Sequence, residues 1–163
     1  MSAKKIFLDE DGYQELLDYI DTLVKKLNNV GKELAQSNED YSESWHDNPA
    51  YDHAMSKEAV VATKINHYNN LIKEVEIIKK TNFKDKINLD DKVELKLTFK
   101  DGSSNIDKYR LIGGYFSKEE GDFFAISINS PLGEAIHKQK IGKTVKYVLD
   151  NDDVVTAEIL RKL

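Results

Sequence analysis

Two stretches of the chain place apolar residues at alternating three- and four-residue steps, a spacing that few folds can accommodate. From Tyr13 the first runs through Leu16, Ile20, Leu23, Leu27, Val30 and Leu34 and repeats every seven residues. The second runs through Val61, Ile65, Tyr68, Ile72 and Val75, with Lys64, Lys73, Glu74 and Glu76 off the seam. Two such seams with one polar segment between them predict an antiparallel coiled-coil hairpin over residues 1–80, each able to cover the other, so a monomer is expected. An arm of about 30 residues rising roughly 1.5 Å per residue extends about 45 Å, more than a small core requires.

The segment between the seams has its own character. Lys32 and Lys57 enclose a window without Lys or Arg that holds Glu33, Glu39, Asp40, Glu43, Asp47 and Asp52. Carboxylates gathered at the end of a rod repel one another, which predicts a cationic counterpart: a metal ion or a basic partner surface. Capping residues place the tip near residues 37–50. Asp9 precedes Glu10 and Asp11 as a helix start, while Asn48 and Pro49 supply an N-cap and a favoured first helical residue for the second arm. Asp52 then serves the first turn of that helix, and Tyr51 packs beside it. His46 and His53 are seven apart, which is not the spacing of a metal-ligand pair.

After Thr81 the period changes. Residues 81–91 read as a linker, and residues 92–163 as a second domain. Lys92 to Phe99 alternates polar and apolar, as a half-buried strand does. The turn Lys100-Asp101-Gly102-Ser103 leads to a strand over 108–112. Phe123 to Ile128 forms a third strand, Pro131 to Lys138 a short helix with Ser130 as its N-cap, and 144–149 with 154–160 a closing hairpin. The fold class is α+β: a helical hairpin, then a small antiparallel sheet carrying one helix.

Composition bounds the partners. The chain has 163 residues, 40% hydrophobic and 33% charged, with a net charge of −5 and no cysteine, so disulfides and thiolate metal sites are excluded. Divided after Lys86, the first part holds 12 basic and 16 acidic residues and the second 12 and 13. Neither has the basic face that direct phosphate binding needs, and any link to nucleic acid is expected to run through another protein. No stretch is long and apolar enough for a membrane span, and the opening residues are too short and too quickly acidic for a signal peptide, which predicts a cytoplasmic location.

Three stretches carry a resemblance that covers essentially the whole chain. They are Leu8-Asp-Glu-Asp-Gly-Tyr-Gln-Glu-Leu16, the tip segment Asp47-Asn48-Pro49-Ala50-Tyr51-Asp52, and the set Tyr109-Arg-Leu-Ile-Gly113, Ile126-Ser-Ile-Asn-Ser-Pro-Leu-Gly133 and Lys140-Ile-Gly-Lys-Thr-Val145. In these the chain resembles the bacterial Gre transcript-cleavage factors, GreA and GreB. The resemblance implies an FKBP-like C-terminal domain that docks on bacterial RNA polymerase, with Ser130, Pro131, Leu132, Gly133 and Tyr51 as partner-binding positions. It implies that the coiled coil enters the secondary channel of the polymerase and that tip carboxylates help hold a Mg²⁺ shared with the polymerase active centre, promoting cleavage of backtracked RNA. Such a protein is an accessory factor with no stably bound cofactor, not an enzyme itself.

Alignment on Tyr51 places the family's two tip acids at Ser44 and Asp47. Ser44 is not a charged ligand; Glu43 is its nearest substitute, and Asp47 remains the metal-ligating position. A second reading follows, a Gre-like polymerase-binding regulator or inhibitor that occupies the channel without stimulating cleavage. A third, a peptidyl-prolyl isomerase, rests on the implied FKBP-like fold and on Phe99, Tyr109, Tyr115, Phe116, Phe123, Phe124 and Tyr147; fold by itself does not confer that activity.

Overall fold

The computed structural model describes residues 5–39 and 49–163. Its elements run β1 (Ile6–Leu8), α1 (Glu10–Glu39), α2 (Pro49–Lys73), β2 (Val75–Ile77), β3 (Lys92–Thr98), β4 (Ser104–Ile112), β5 (Lys118–Glu120), β6 (Phe123–Ser127), α3 (Pro131–Ile136), β7 (Thr144–Val148) and β8 (Val154–Lys162). The fold is α+β, and the chain divides into two compact units. Of the described residues, one comprises 16–39 and 49–75, the other 5–15 and 76–163.

In the first unit the heptad positions turn inward. Leu16, Leu23 and Val30 of α1 are buried, with Ile20, Leu27 and Leu34 half-buried between them. On α2 the inward residues are Ala54 and Val61, then Ile65, Tyr68 and Ile72. Two helices alone can enclose only a narrow seam, so even seam residues stay partly wet. Glu33 meets Lys57 at 3.6 Å, and the rings of Tyr19 and Tyr68 lie 5.1 Å apart, edge to face. A late α1 residue thus pairs with an early α2 residue and an early one with a late one, which makes the helices antiparallel. Val75, placed by its spacing on the second seam, opens β2 instead. The Glu74 N–H bonds the Leu71 carbonyl at 3.0 Å, a tightened turn that ends α2 after Lys73.

The second unit is built on a six-stranded sheet in the order β5-β6-β4-β3-β8-β7, beside a separate pair β1-β2. Expected as antiparallel, the larger sheet is mixed, because β4 and β6 run parallel, Tyr109 opposite Phe124. A crossover of this kind leaves no local mark in sequence, unlike a hairpin turn. The alternation of β3 puts Val93, Leu95 and Leu97 into the core with Leu111, Ile126, Ile136 and Ile159. Residues 81–91, read as a linker, belong to this core: Ile87 and Leu89 are buried in it, and an isolated bridge joins Lys86 to Lys140. Asn88, also buried, anchors the segment, accepting from the Phe83 N–H (3.0 Å) and donating to the carbonyls of Phe83 (2.9 Å) and Lys86 (3.1 Å).

Candidate functional site

The tip positions Glu43, Ser44 and Asp47 lie outside the described residues, as do Trp45 and His46. What surrounds them is defined on both sides. Helix α2 begins at Pro49, and its first turn carries Tyr51, half-buried, and Asp52, exposed. The acidic window is less isolated than its composition indicates, because Glu33 faces Lys57, the first cation beyond it, at 3.6 Å. Among the described residues no group of three His, Cys, Asp or Glu side chains is placed to hold a metal ion.

The second sequence-derived site surrounds the start of α3. The Ser130 hydroxyl accepts the Gly133 N–H at 3.1 Å and donates to the Ser127 carbonyl at 2.7 Å, so it caps the helix and ties it to the end of β6. Gly133 has no room for a side chain: a Cβ there would fall 2.0 Å from the Ser127 carbonyl oxygen. Leu132 is buried in the core. Pro131 alone of these four residues is exposed, and Glu134 is exposed one turn on. Asn129, just before the cap, uses its side-chain amide as a strand would. Its Oδ1 accepts from the Phe7 N–H at 2.8 Å and its Nδ2 donates to the Phe7 carbonyl at 2.7 Å, pinning β1 to this loop.

A third cluster joins the first and third sequence motifs, a contact that spacing did not reveal. The Asp9 carboxylate caps α1 by accepting the Gly12 N–H at 2.7 Å, while the Asp9 N–H donates to the Gly113 carbonyl at 3.0 Å. A Cβ on Gly12 would lie 2.2 Å from the Gly113 carbonyl oxygen, and one on Gly113 2.4 Å from the Asp9 carboxyl carbon. Each glycine is therefore required by close approach. Beside them Arg110 bonds Asp90 at 2.9 Å and Glu120 at 2.8 Å, Lys80 pairs with Asp90, and Lys118 pairs with Glu15 at 3.1 Å. Burial works against the charge on Asp90, but hydrogen bonds from Lys80 and Arg110 outweigh it and hold its carboxyl below the usual carboxylate range.

Among the described residues, the aromatic side chains singled out in the sequence border more than one cleft. Tyr109 and Phe124 border a cleft of about 500 Å³, and Phe99 borders another of about 480 Å³. Tyr115 and Phe116 meet edge to face, ring centroids 5.0 Å apart. Burial, with smaller contributions from Asp107 and Tyr147, pushes the Tyr109 phenol up to about 12, so it stays neutral and serves the core.

An antiparallel helical hairpin and a mixed-sheet unit, with paired glycines where the first helix starts, define the class. No protein-family model matches the chain. It is similar to the transcription elongation factor GreA of Acholeplasma laidlawii, 29% identical over 150 residues that cover 90% of this chain and 89% of that one. It is likewise similar to GreA of Thermotoga maritima, 28% identical over 148 residues and 88% of each. A crystal structure of GreA factor homolog 1 from Thermus thermophilus matches at 16% identity with a TM-score of 0.43, covering 98% of this chain and 99% of that one. Along most of its length the chain is thus similar to transcription elongation factors of the GreA type. Among the described residues no helix is long and apolar enough to cross a membrane.

Proposed function

We propose that this chain is an accessory factor of RNA polymerase that inserts its helical hairpin into the secondary channel and promotes cleavage of backtracked RNA. The observation that carries this reading is the likeness to GreA along 88–90% of the chain, taken with an antiparallel hairpin whose connecting segment is acidic. A narrow helical pair without a basic face suits a crowded channel, where the polymerase supplies the contacts to nucleic acid. Asp47 is the tip position that would help hold Mg²⁺ with the polymerase, and Glu43 is the neighbouring carboxylate. Bound there, the ion would activate water and stabilise charge developing on the phosphate. Partner docking falls to Pro131, the residue that the α3 start leaves exposed, while Ser130, Leu132 and Gly133 shape the loop that presents it.

Ser44 favours a second reading. Where the family pattern has the first of two acids, this chain offers a neutral hydroxyl, a weaker ligand for a hard divalent cation. In that reading the protein occupies the channel and regulates or inhibits the polymerase without stimulating cleavage.

The experiment that separates the readings uses stalled, backtracked elongation complexes with Mg²⁺. Release of short 3′ RNA fragments that Asp47→Ala abolishes supports the cleavage role; no release across a range of Mg²⁺ concentrations removes it. Ser44→Asp is the informative partner variant, since activity gained by that change alone would assign the missing carboxylate as the reason for silence.

A further inference from the structure

Strand β7 closes one edge of the six-stranded sheet; among the described residues β8 is its only strand partner, and α3 also contacts it. Its register with β8 is regular, from Thr144 opposite Glu158 to Val148 opposite Val154. The bonds that flank this ladder fix its phase: the Ile159 N–H donates to the Lys143 carbonyl at 3.0 Å, and the Leu149 N–H to the Asp153 carbonyl at 2.9 Å. Antiparallel pairs alternate between bonded and non-bonded, so Val145 and Tyr147 spend their backbone groups on β8. Thr144, Lys146 and Val148 then direct their N–H and carbonyl groups away from β8, into the open edge. Their side chains are exposed, whereas Val145 and Tyr147 pack against the core.

Charge along this edge has one sign. From Ala135 to Leu149 the chain contains no Asp or Glu, yet it carries Lys138, Lys140, Lys143 and Lys146, in a protein of net charge −5. None of the ion pairs among the described residues uses any of these lysines. Two acids lie in register nearby: Glu158, opposite Thr144 on β8 and opposite Lys96 on β3, and Asp153, opposite Leu149 past the end of β7 and paired with Lys100 at 3.7 Å. Exposed apolar groups mark both ends of the edge, Ile141 at 40% and Val148 at 52% exposure.

We propose that β7 is a docking edge for an extended acidic segment of another protein, which adds to the sheet as a seventh strand. The outward backbone groups of Thr144, Lys146 and Val148 supply the pairing, and an acid opposite Lys146 supplies the selectivity. Lysine on an edge strand also guards against self-association, and here the two roles agree. Two copies pairing antiparallel about the centre of β7 would set Lys146 against Lys146, so the charge that rejects a second copy admits an acidic strand.

The test uses the full chain, labelled for amide NMR, and a seven-residue peptide alternating valine and glutamate, with a valine–lysine peptide as control. Binding of the acidic peptide is expected to slow hydrogen exchange at the Thr144, Lys146 and Val148 amides by about tenfold or more, while Val145 and Tyr147, already bonded, change little. Lys146→Glu should weaken binding by about tenfold; a Lys140→Glu/Lys143→Glu pair repeats the charge test should that variant fail to fold. Lys146→Pro removes an outward donor without touching the β8 ladder and should lose the peptide. No slowing at millimolar peptide, equal binding of the lysine peptide, or protection centred elsewhere overturns the proposal. Slowing of the same amides by concentrated protein alone overturns it in favour of a second copy.

Discussion

The helical hairpin and the sheet unit solve the problem of burial in opposite ways. On the hairpin, pairing between two helices leaves a narrow seam in which Leu23, Val30, Ala54 and Val61 are buried while Ile20, Leu27 and Leu34 stay partly exposed. The sheet unit instead builds a closed core whose buried members, among the described residues, come from six segments of chain, Ile87, Leu95, Leu111 and Ile159 among them fully hidden. A seam tolerates change because each layer touches few others, whereas a closed core passes a misfit to its neighbours. Substitutions should therefore cost far more in the sheet unit than on the hairpin.

Glycine gives the sharpest form of that contrast. Gly133→Ala and Gly12→Ala each drive a Cβ into a carbonyl oxygen, at 2.0 and 2.2 Å, so each should cost about 3 kcal/mol or more by thermal or denaturant unfolding. Gly31, in α1, has nothing within 4 Å of a built Cβ, and Gly31→Ala should stabilise the hairpin by about 1 kcal/mol. If all three substitutions moved stability in the same direction, the contrast would not hold.

Large-to-small changes come next. Ile87→Ala, at a residue with 0% exposure, should cost about 3–4 kcal/mol, against about 1 kcal/mol for half-buried Leu27→Ala on the seam. Comparable losses from denaturant midpoints at equal m-value would show the seam to be packed as tightly as the core. Asn88→Ala should cost about 2 kcal/mol, since it removes the Asn88 partner of the Phe83 N–H and the Lys86 carbonyl and leaves the Phe83 carbonyl with Lys162 alone.

The smallest effect is electrostatic. The Asp90 carboxyl sits below its ordinary 3.8, so its contribution to stability is present above that pH and is lost as the pH falls through the lower, folded value. Asp90→Asn, tolerated at this residue's positive φ of 67°, should flatten the loss of stability below about pH 4. Melting curves of unchanged slope on acidification would show that the pairs to Lys80 and Arg110 contribute nothing.

What was legible in the sequence follows the same division. The hairpin's helices, their starts at Glu10 and Pro49 and their seam residues could be read because a helix writes its burial every three or four positions. Strand β3 showed through alternation, and β4 from Lys108 on, β6, β7 and β8 showed as runs set off by turns. Ile87 and Leu89 did not, because charged neighbours at Lys86, Asp90 and Asp91 gave the segment the composition of a linker. Strand β5 reads Lys-Glu-Glu and has no apolar residue to announce it, and β1 is held through the side chain of Asn129, 122 positions away. The glycines of the first and third motifs were visible as motif letters, but their reason, the approach of Gly12 to Gly113, is a contact between distant segments. For the tip, Asp47, Glu43 and Ser44 remain a reading of sequence register.

The central claim, that this chain acts on RNA polymerase as the Gre factors do, is tested most directly by competition. Fluorescently labelled GreA bound to RNA polymerase is titrated with this protein, and displacement is followed by anisotropy. The account predicts full, saturable displacement that a globule-side change at Pro131 weakens and that Asp47→Ala leaves intact, whichever of the two readings of the tip holds. Retention of labelled GreA at saturating concentrations of this protein would contradict it.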